Sequence, residues 1–334
     1  MLQYKFSMRR VLMTGVLAVL LGSFVYGLAK PVNSTAKDIA YVSIQPGMTA
    51  DNIGNQLYEQ GLIKNVLAFR VIAKFNGLDN TLKAGDYSFT TDMSVTQIVD
   101  RLARGATAQQ LITIPEGYTV NQIAALIQEK QIGDAEKFKA AARNYRPHSY
   151  MAGSDAASYQ VEGYLFPDTY QFDKGVTEEK LLTMMVGEFD QRFTPEMRNR
   201  ADELGLSIPQ VVILASLVEK EAKLDSDRPV IAGVFLNRLQ YHMPLQSCAT
   251  IQYILGYAKP ELTIQDTEID SPYNTYQHHG LPPGPIANPG MAAINAVLYP
   301  AATEYLYFVA DKQGQHHFST NYEEHLAAIE RVQQ

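Results

Sequence analysis

YVSIQPGMTADNIGNQLYEQGLI, residues 41–63, holds the change of period on which the fold reading turns. Val42 and Ile44 alternate with polar residues as a half-buried strand does, and Pro46-Gly47 breaks the chain. Thr49 then stands where a helix cap belongs, ahead of apolar Ile53, Leu57 and Leu62. The segment predicts strand, turn and helix. The same pattern returns at a constant offset of 70, where Ile112, Ile114, Gly117, Thr119, Ile123 and Ile127 match Val42, Ile44, Gly47, Thr49, Ile53 and Leu57. Two copies do not make a solenoid. They predict a duplicated element in which each copy buries one helix face on a small sheet.

Between the copies, AGDYSFTTDMSVTQIVDRLARG (84–105) reads as another strand followed by a helix with apolar Val95, Ile98, Val99 and Leu102. Residues 40–108 thus have strand-helix-helix-strand content, which resembles a LysM-type glycan-binding fold. They also read as a plain α+β spacer, since fold likeness alone does not establish binding. From about residue 146 the character changes. Glu162 precedes the aromatic, proline-broken run Gly163–Tyr170, and a helix-rich stretch follows from Glu178 to Arg238. YNTYQHHGLPPGPIANPG (273–290) comes next, and then a strand at Tyr305–Ala310. The prolines of 280–290 remove the amide donors that a phosphate loop needs, so this is a rigid loop shaping a cleft. The fold class is α+β, with a small unit at 40–108 and a larger mixed α+β unit at 109–334.

Outward to the N-terminus, Lys5, Arg9 and Arg10 precede Val11–Ala29, nineteen residues without a charge. A helix of that length spans about 28 Å, close to the hydrocarbon core of a bilayer. The reading is a cytoplasmic end at 1–10, a transmembrane helix at 11–29 and a polar linker at 30–39. The flanking positive charge places everything beyond on the extracytoplasmic side of the cell membrane. A cleaved signal peptide, with Gly27 and Ala29 as its small residues, is the competing reading. Either one exports the rest of the chain.

Composition removes other classes. The formal charge is -7 with no long basic run, which excludes nucleic acid as the main partner. Apolar residues make up 46% of the chain, enough to bury a core without disulfides, and the single cysteine, Cys248, permits none within the chain. No Cys-His signature makes that thiol catalytic. Of the seven histidines none stands in an HExxH pattern, four fall in the adjacent pairs His278-His279 and His316-His317, and neighbouring side chains on an extended chain point to opposite faces. No metal site and no cofactor are expected.

The chemistry concentrates in IPQVVILASLVEKEA, residues 208–222. Ser207 and Pro209 mark a helix start. On a helical wheel Leu214, Leu217 and Val218 share a face with Glu221, while Glu219 turns to the side and Lys220 to the polar surface. A carboxyl in apolar surroundings holds its proton to higher pH and can donate it to a leaving glycosidic oxygen. The alternative is a helix end at which Glu221 faces solvent or pairs with Arg228.

EGYLFPDTY, ASLVEKEA, VIAGVFLNRLQYHMPLQSCATIQYILG, YNTY and GLPPGPIANPG, in that order along the chain, resemble the YceG-like family of endolytic murein transglycosylases. The likeness covers nearly all of the chain after the linker. It implies cleavage between N-acetylmuramic acid and N-acetylglucosamine of peptidoglycan strands, with a 1,6-anhydromuramyl end left behind. It also implies Glu221, the second acid of Glu-Lys-Glu, as the catalytic group, and association with peptidoglycan synthases. Gln246, Tyr253, Asn274 and Tyr276 carry the amides, hydroxyls and aromatic faces that sugars use, and Glu162 and Glu219 are carboxylates within the motifs. These six are the substrate-binding candidates, with loop bracing as their other reading. The chain departs from the pattern at Cys248-Ala249, where some relatives have Asp-Pro. A water-using glycosidase pairing Glu221 with Asp168, and a non-catalytic glycan-binding or scaffolding protein, are the competing functions.

Overall fold

A computed structural model describes residues 27–33, 38–79, 81–105, 109–259 and 261–333, and it divides the chain into two compact units. Unit 1 comprises Met1–Gln110 with Phe172–Lys174, and unit 2 comprises Leu111–Gln171 with Gly175–Gln334.

Unit 1 contains β1 (Ile39–Ile44), α1 (Ala50–Glu59), α2 (Val66–Phe75), β2 (Gly85–Thr90) and α3 (Val95–Arg104). β1 and β2 run antiparallel, from Ile39 opposite Thr90 to Ile44 opposite Gly85. This register turns Val42 and Ile44 inward with Tyr87 and Phe89, whose rings stack 5.7 Å apart. α3 begins with a capping box between Ser94 and Gln97, and it buries Val95, Ile98, Val99 and Leu102. Each such side chain stabilises the unit by roughly 1.5–3 kcal/mol relative to exposure.

The transmembrane helix assigned to 11–29 lies outside the described residues except at Gly27–Ala29. Among the described residues no single helix is long and apolar enough to cross a membrane. The linker assigned to 30–39 needs correction, because the chain on both sides of its undescribed part is tied into unit 1. Ala29 belongs to the core and its carbonyl accepts from Val95 N–H at 3.0 Å. Asn33 N–H donates to Thr91 O at 3.0 Å, and Thr91 N–H to Asp38 O at 3.2 Å. Polar composition suggested a linker, but Asn33 and Asp38 within it bond to Thr91, just past β2.

The second copy, most of which belongs to unit 2, is β3 (Gln109–Thr113), α4 (Val120–Glu129), α5 (Ala135–Asn144), β4 (Thr169–Asp173) and α6 (Glu178–Arg192). The duplication is longer than the sequence match. Strand-helix-helix-strand-helix occurs twice, with residues 145–168 as additional chain between α5 and β4. Both copies cap the first helix with threonine, Thr49 accepting from Asn52 N–H and Thr119 from Gln122 N–H. Both place glycine in the left-handed region before the cap, Gly47 at φ 85° and Gly117 at φ 73°.

The remainder of unit 2 is α7 (Pro195–Glu203), α8 (Ile208–Glu221), α9 (Arg228–Gln240), α10 (Cys248–Leu255), α11 (Ile264–Thr267), α12 (Met291–Leu298), β5 (Tyr307–Ala310), β6 (His316–Ser319) and α13 (Tyr322–Gln333). α8 is the central helix and packs on α7, α9, α10 and α12. Its residues Val211–Val218 are all buried, so it has no single apolar face. β5 and β6 form an antiparallel pair with Phe308 opposite Phe318.

The loop 280–290 is pinned to α8 and to the additional chain. Buried Ser216 accepts from Ile286 N–H at 3.1 Å, and Gly290 N–H donates to Glu219 at 3.0 Å. Gly163, at φ 87°, lies so close to this loop and to α8 that a Cβ would meet Pro285 Cγ at 2.5 Å and Val212 Cγ1 at 2.6 Å. Gly163→Ala combines a disfavoured φ with overpacking and should cost about 2–4 kcal/mol in denaturant unfolding. A loss below about 0.5 kcal/mol, the scale of an ordinary surface change, would contradict this close approach.

Candidate active site

α8 ends at Glu221, since Ala222 is already extended at φ -72° and ψ 125°. The carboxyl therefore sits at the negative end of a helix inside the folded unit. Ser247 Oγ donates to Glu221 Oε1 at 2.5 Å, and the Ala249 backbone N–H also bonds the carboxyl. Glu221 keeps part of its surface in solvent. Burial raises its pKa above the ordinary glutamate value, against the bonds from Ser247 and Ala249 and the nearby His316 and Arg238. The group favours its acid form, with a neutral hydroxyl as its nearest partner.

The turn that delivers Ser247 is built by two devices. Arg238 is buried on α9 and donates to Leu306 O at 2.7 Å, Leu245 O at 2.9 Å and Pro244 O at 3.2 Å. Gln246 takes a left-handed φ of 47°, a conformation that costs energy outside glycine. Its N–H donates to Thr275 O, and Ser247 N–H to Thr275 Oγ1, both at 3.0 Å. The Gln246 residue itself is exposed beside the site.

The wheel separated Glu219 from Glu221 by face, and the structure separates them by partner. The Glu219 side chain is only 8% exposed and pairs with Arg228 at 3.2 Å. The Arg228 pair considered for Glu221 thus belongs to Glu219, which also anchors Gly290. Because α8 is buried all round, position along its axis matters more than azimuth.

The other candidates divide in the same way. Asn274 is fully buried and donates to Thr267 O and Ile269 O at 3.0 and 2.8 Å while accepting from Tyr276 N–H at 3.0 Å. These bonds brace the loop. Glu162 is 1% exposed and accepts from Val120 N–H at 3.0 Å, Asn288 Nδ2 at 2.9 Å and Tyr253 Oη at 3.2 Å. It ties α4, α10 and the 280–290 loop together, so its role is bracing too. Asn288 extends the brace, accepting from Leu165 N–H at 2.8 Å and donating to Tyr118 O at 2.9 Å. Tyr253 and Tyr276 remain partly exposed. The Tyr276 hydroxyl lies 3.1 Å from Cys248 Sγ, whose pKa burial raises, so the thiolate is scarce. Asp168, the second acid of a hydrolase, is held by Arg192 at 3.1 Å.

Sequence reasoning missed Ser247, Arg238 and Asn288, three polar residues the fold buries. It also missed the buried contact of His316 Nδ1 with Asp227 at 3.0 Å. His317 turns instead to Asp311 at 3.1 Å, so the adjacent rings serve different partners.

Burial pushes the Glu162 pKa up to about 8, against the bonds from Val120, Tyr253 and Asn288. The folded chain then holds a proton that the unfolded chain releases near 4.5. This stabilisation is complete below 4.5 and declines as pH rises toward 8, at up to about 1.4 kcal/mol per pH unit for one proton. Melting of the wild type should fall across that window, and Glu162→Gln, which mimics the protonated form, should fall less steeply. Equal slopes in the two proteins would contradict the raised pKa.

The YceG-like family matches residues 42–331. The endolytic murein transglycosylase of Bacillus subtilis is 35% identical over 328 residues, covering 93% of this chain and 90% of the relative. That of Streptococcus pneumoniae is 35% identical over 325 residues, covering 88% of this chain, which spans only 58% of that longer relative. The crystal structure of a yceG-like protein from Listeria monocytogenes superposes with a TM-score of 0.60 at 34% identity, covering 88% of this chain and all of that one. With its motifs on α8, α10 and the pinned loop, and a match over most of its length, this chain belongs to the YceG-like family.

Proposed function

We propose that the chain is an endolytic peptidoglycan lytic transglycosylase in which Glu221 serves as both acid and base. The observation that carries this reading is the Glu221 carboxyl, raised in pKa by burial and bonded to a neutral serine instead of a cation, on a residue that keeps part of its surface in solvent. Glu162, Glu219 and Asp168 are each committed elsewhere. A mechanism needing one carboxyl fits this arrangement better than one needing two.

Glu221 donates its proton to the oxygen bridging N-acetylmuramic acid and N-acetylglucosamine as the C1–O bond breaks. The ring passes through an oxocarbenium-like state. The carboxylate then takes the proton of the same sugar's 6-hydroxyl while O6 bonds to C1. No water is consumed, and Glu221 ends protonated as it began. The helix at 11–29 would anchor the enzyme in the cell membrane with unit 2 outside, in keeping with Lys5, Arg9 and Arg10 before an uncharged run. Unit 1, with its LysM-like element order, would hold glycan near unit 2 and raise its local concentration. Association with peptidoglycan synthases belongs to the same proposal.

Glu221→Gln should leave melting nearly unchanged and lower strand cleavage by about 10²- to 10⁴-fold or more, since glutamine exchanges no proton. Mass spectrometry of wild-type products from purified strands should find anhydro ends. Reducing ends would indicate a hydrolase, and no cleavage would leave a glycan-binding or scaffolding protein.

A further inference from the structure

Unit 2 opens into a cavity of about 320 Å³ whose lining includes Thr119, Lys220, Ala249, Gln252, Tyr253 and Tyr257. Ala249 joins it to the reacting group, because its N–H bonds the Glu221 carboxyl. The Glu162 brace fixes its walls by holding Val120 at the start of α4 and Tyr253 on α10.

Two side chains here keep hydrogen-bonding capacity that the fold does not use. Lys220 lies between two glutamates and pairs with neither, since Glu219 goes to Arg228 and Glu221 to Ser247. Its ammonium makes one long contact, 3.4 Å to Gly117 O, and keeps donors for a ligand. Tyr257 is 59% exposed, just past the left-handed Gly256 that ends α10, and its hydroxyl makes no hydrogen bond among the described residues. Gln252 spends its amide N–H on Lys259 O at 3.2 Å, which leaves its carbonyl to accept. A free ammonium, a free amide carbonyl and two aromatic faces suit a neutral ring with hydroxyl donors, an apolar C–H face and an amide acceptor. In unit 1 the equivalent turn, Gly47 to Asp51, also borders a cavity, of about 590 Å³.

We propose that the unit 2 cavity is a saccharide subsite holding one N-acetylated amino-sugar ring next to the bond at Glu221. Tyr257 stacks on the ring face, Lys220 donates to the acetamido carbonyl, and Gln252 accepts from a hydroxyl. This rests on the transglycosylase reading of Glu221.

The test is steady-state cleavage of purified glycan strands stripped of peptide stems, by the wild type, Tyr257→Ala, Tyr257→Phe and Lys220→Met. KM should rise roughly 3- to 10-fold in Tyr257→Ala and Lys220→Met, the range for one lost aromatic contact or hydrogen bond. Tyr257→Phe should stay near the wild type, because the ring is kept. Calorimetric titration of N-acetylglucosamine tetramer into Glu221→Gln protein, with and without Tyr257→Ala, should show the same loss of affinity without turnover. Unchanged KM and affinity in both variants, or a fall confined to kcat, would overturn the subsite. A wild type that yields no anhydro ends would overturn the underlying reading instead, so the two failures are distinct.

Discussion

The removal of one carboxyl from water without a cation bonded to it is the constraint around which unit 2 is organised. Ionising Glu221 is costly because its charge is desolvated and lies at the negative end of α8. An arginine beside it would cancel that cost and make the group an inert ion-paired carboxylate. The fold gives the arginine to Glu219, two residues earlier, and gives Glu221 the hydroxyl of Ser247. A neutral donor orients the carboxyl and moderates its pKa without fixing it in the charged form. Arg238 and the left-handed Gln246 exist in this account to present that hydroxyl.

A second carboxyl belongs to a residue buried more completely than Glu221. Glu162 is also raised in pKa by burial, but it is closed off and engaged by Val120, Asn288 and Tyr253. Its position in the chain between α5 and β4 is the main difference between the two copies of the duplicated element. Asn288 links that additional chain to the 280–290 loop.

The duplicated element was legible because local physics writes it: alternation for the strands, threonine caps, and glycine where φ must be positive. The site was legible only in part. Glu221 was reached through a wheel whose premise fails, since α8 is buried on every side and its period carries no face. The family motifs carried that identification more securely than amphipathicity did. Ser247 was out of reach because its contact with Glu221 spans 26 residues and depends on the turn at Gln246. Asn274, Glu162 and Glu219 looked like ligands for sugar because polarity was visible and burial was not. The pairing of β5 with β6 and the helix α13 were missed, as was the anchoring of Ala29 in the core of unit 1.

The central claim is that the proton on Glu221 is the one transferred, and the pH dependence of kcat tests it most directly. Cleavage should fail on the alkaline side, as Glu221 loses its proton at a pKa above the ordinary glutamate value. Ser247 donates to the carboxylate and so lowers that pKa. Ser247→Ala should move the alkaline limb to higher pH while the acid form persists. A limb that stays where it is in Ser247→Ala, or lies at the ordinary glutamate value in the wild type, would contradict the account.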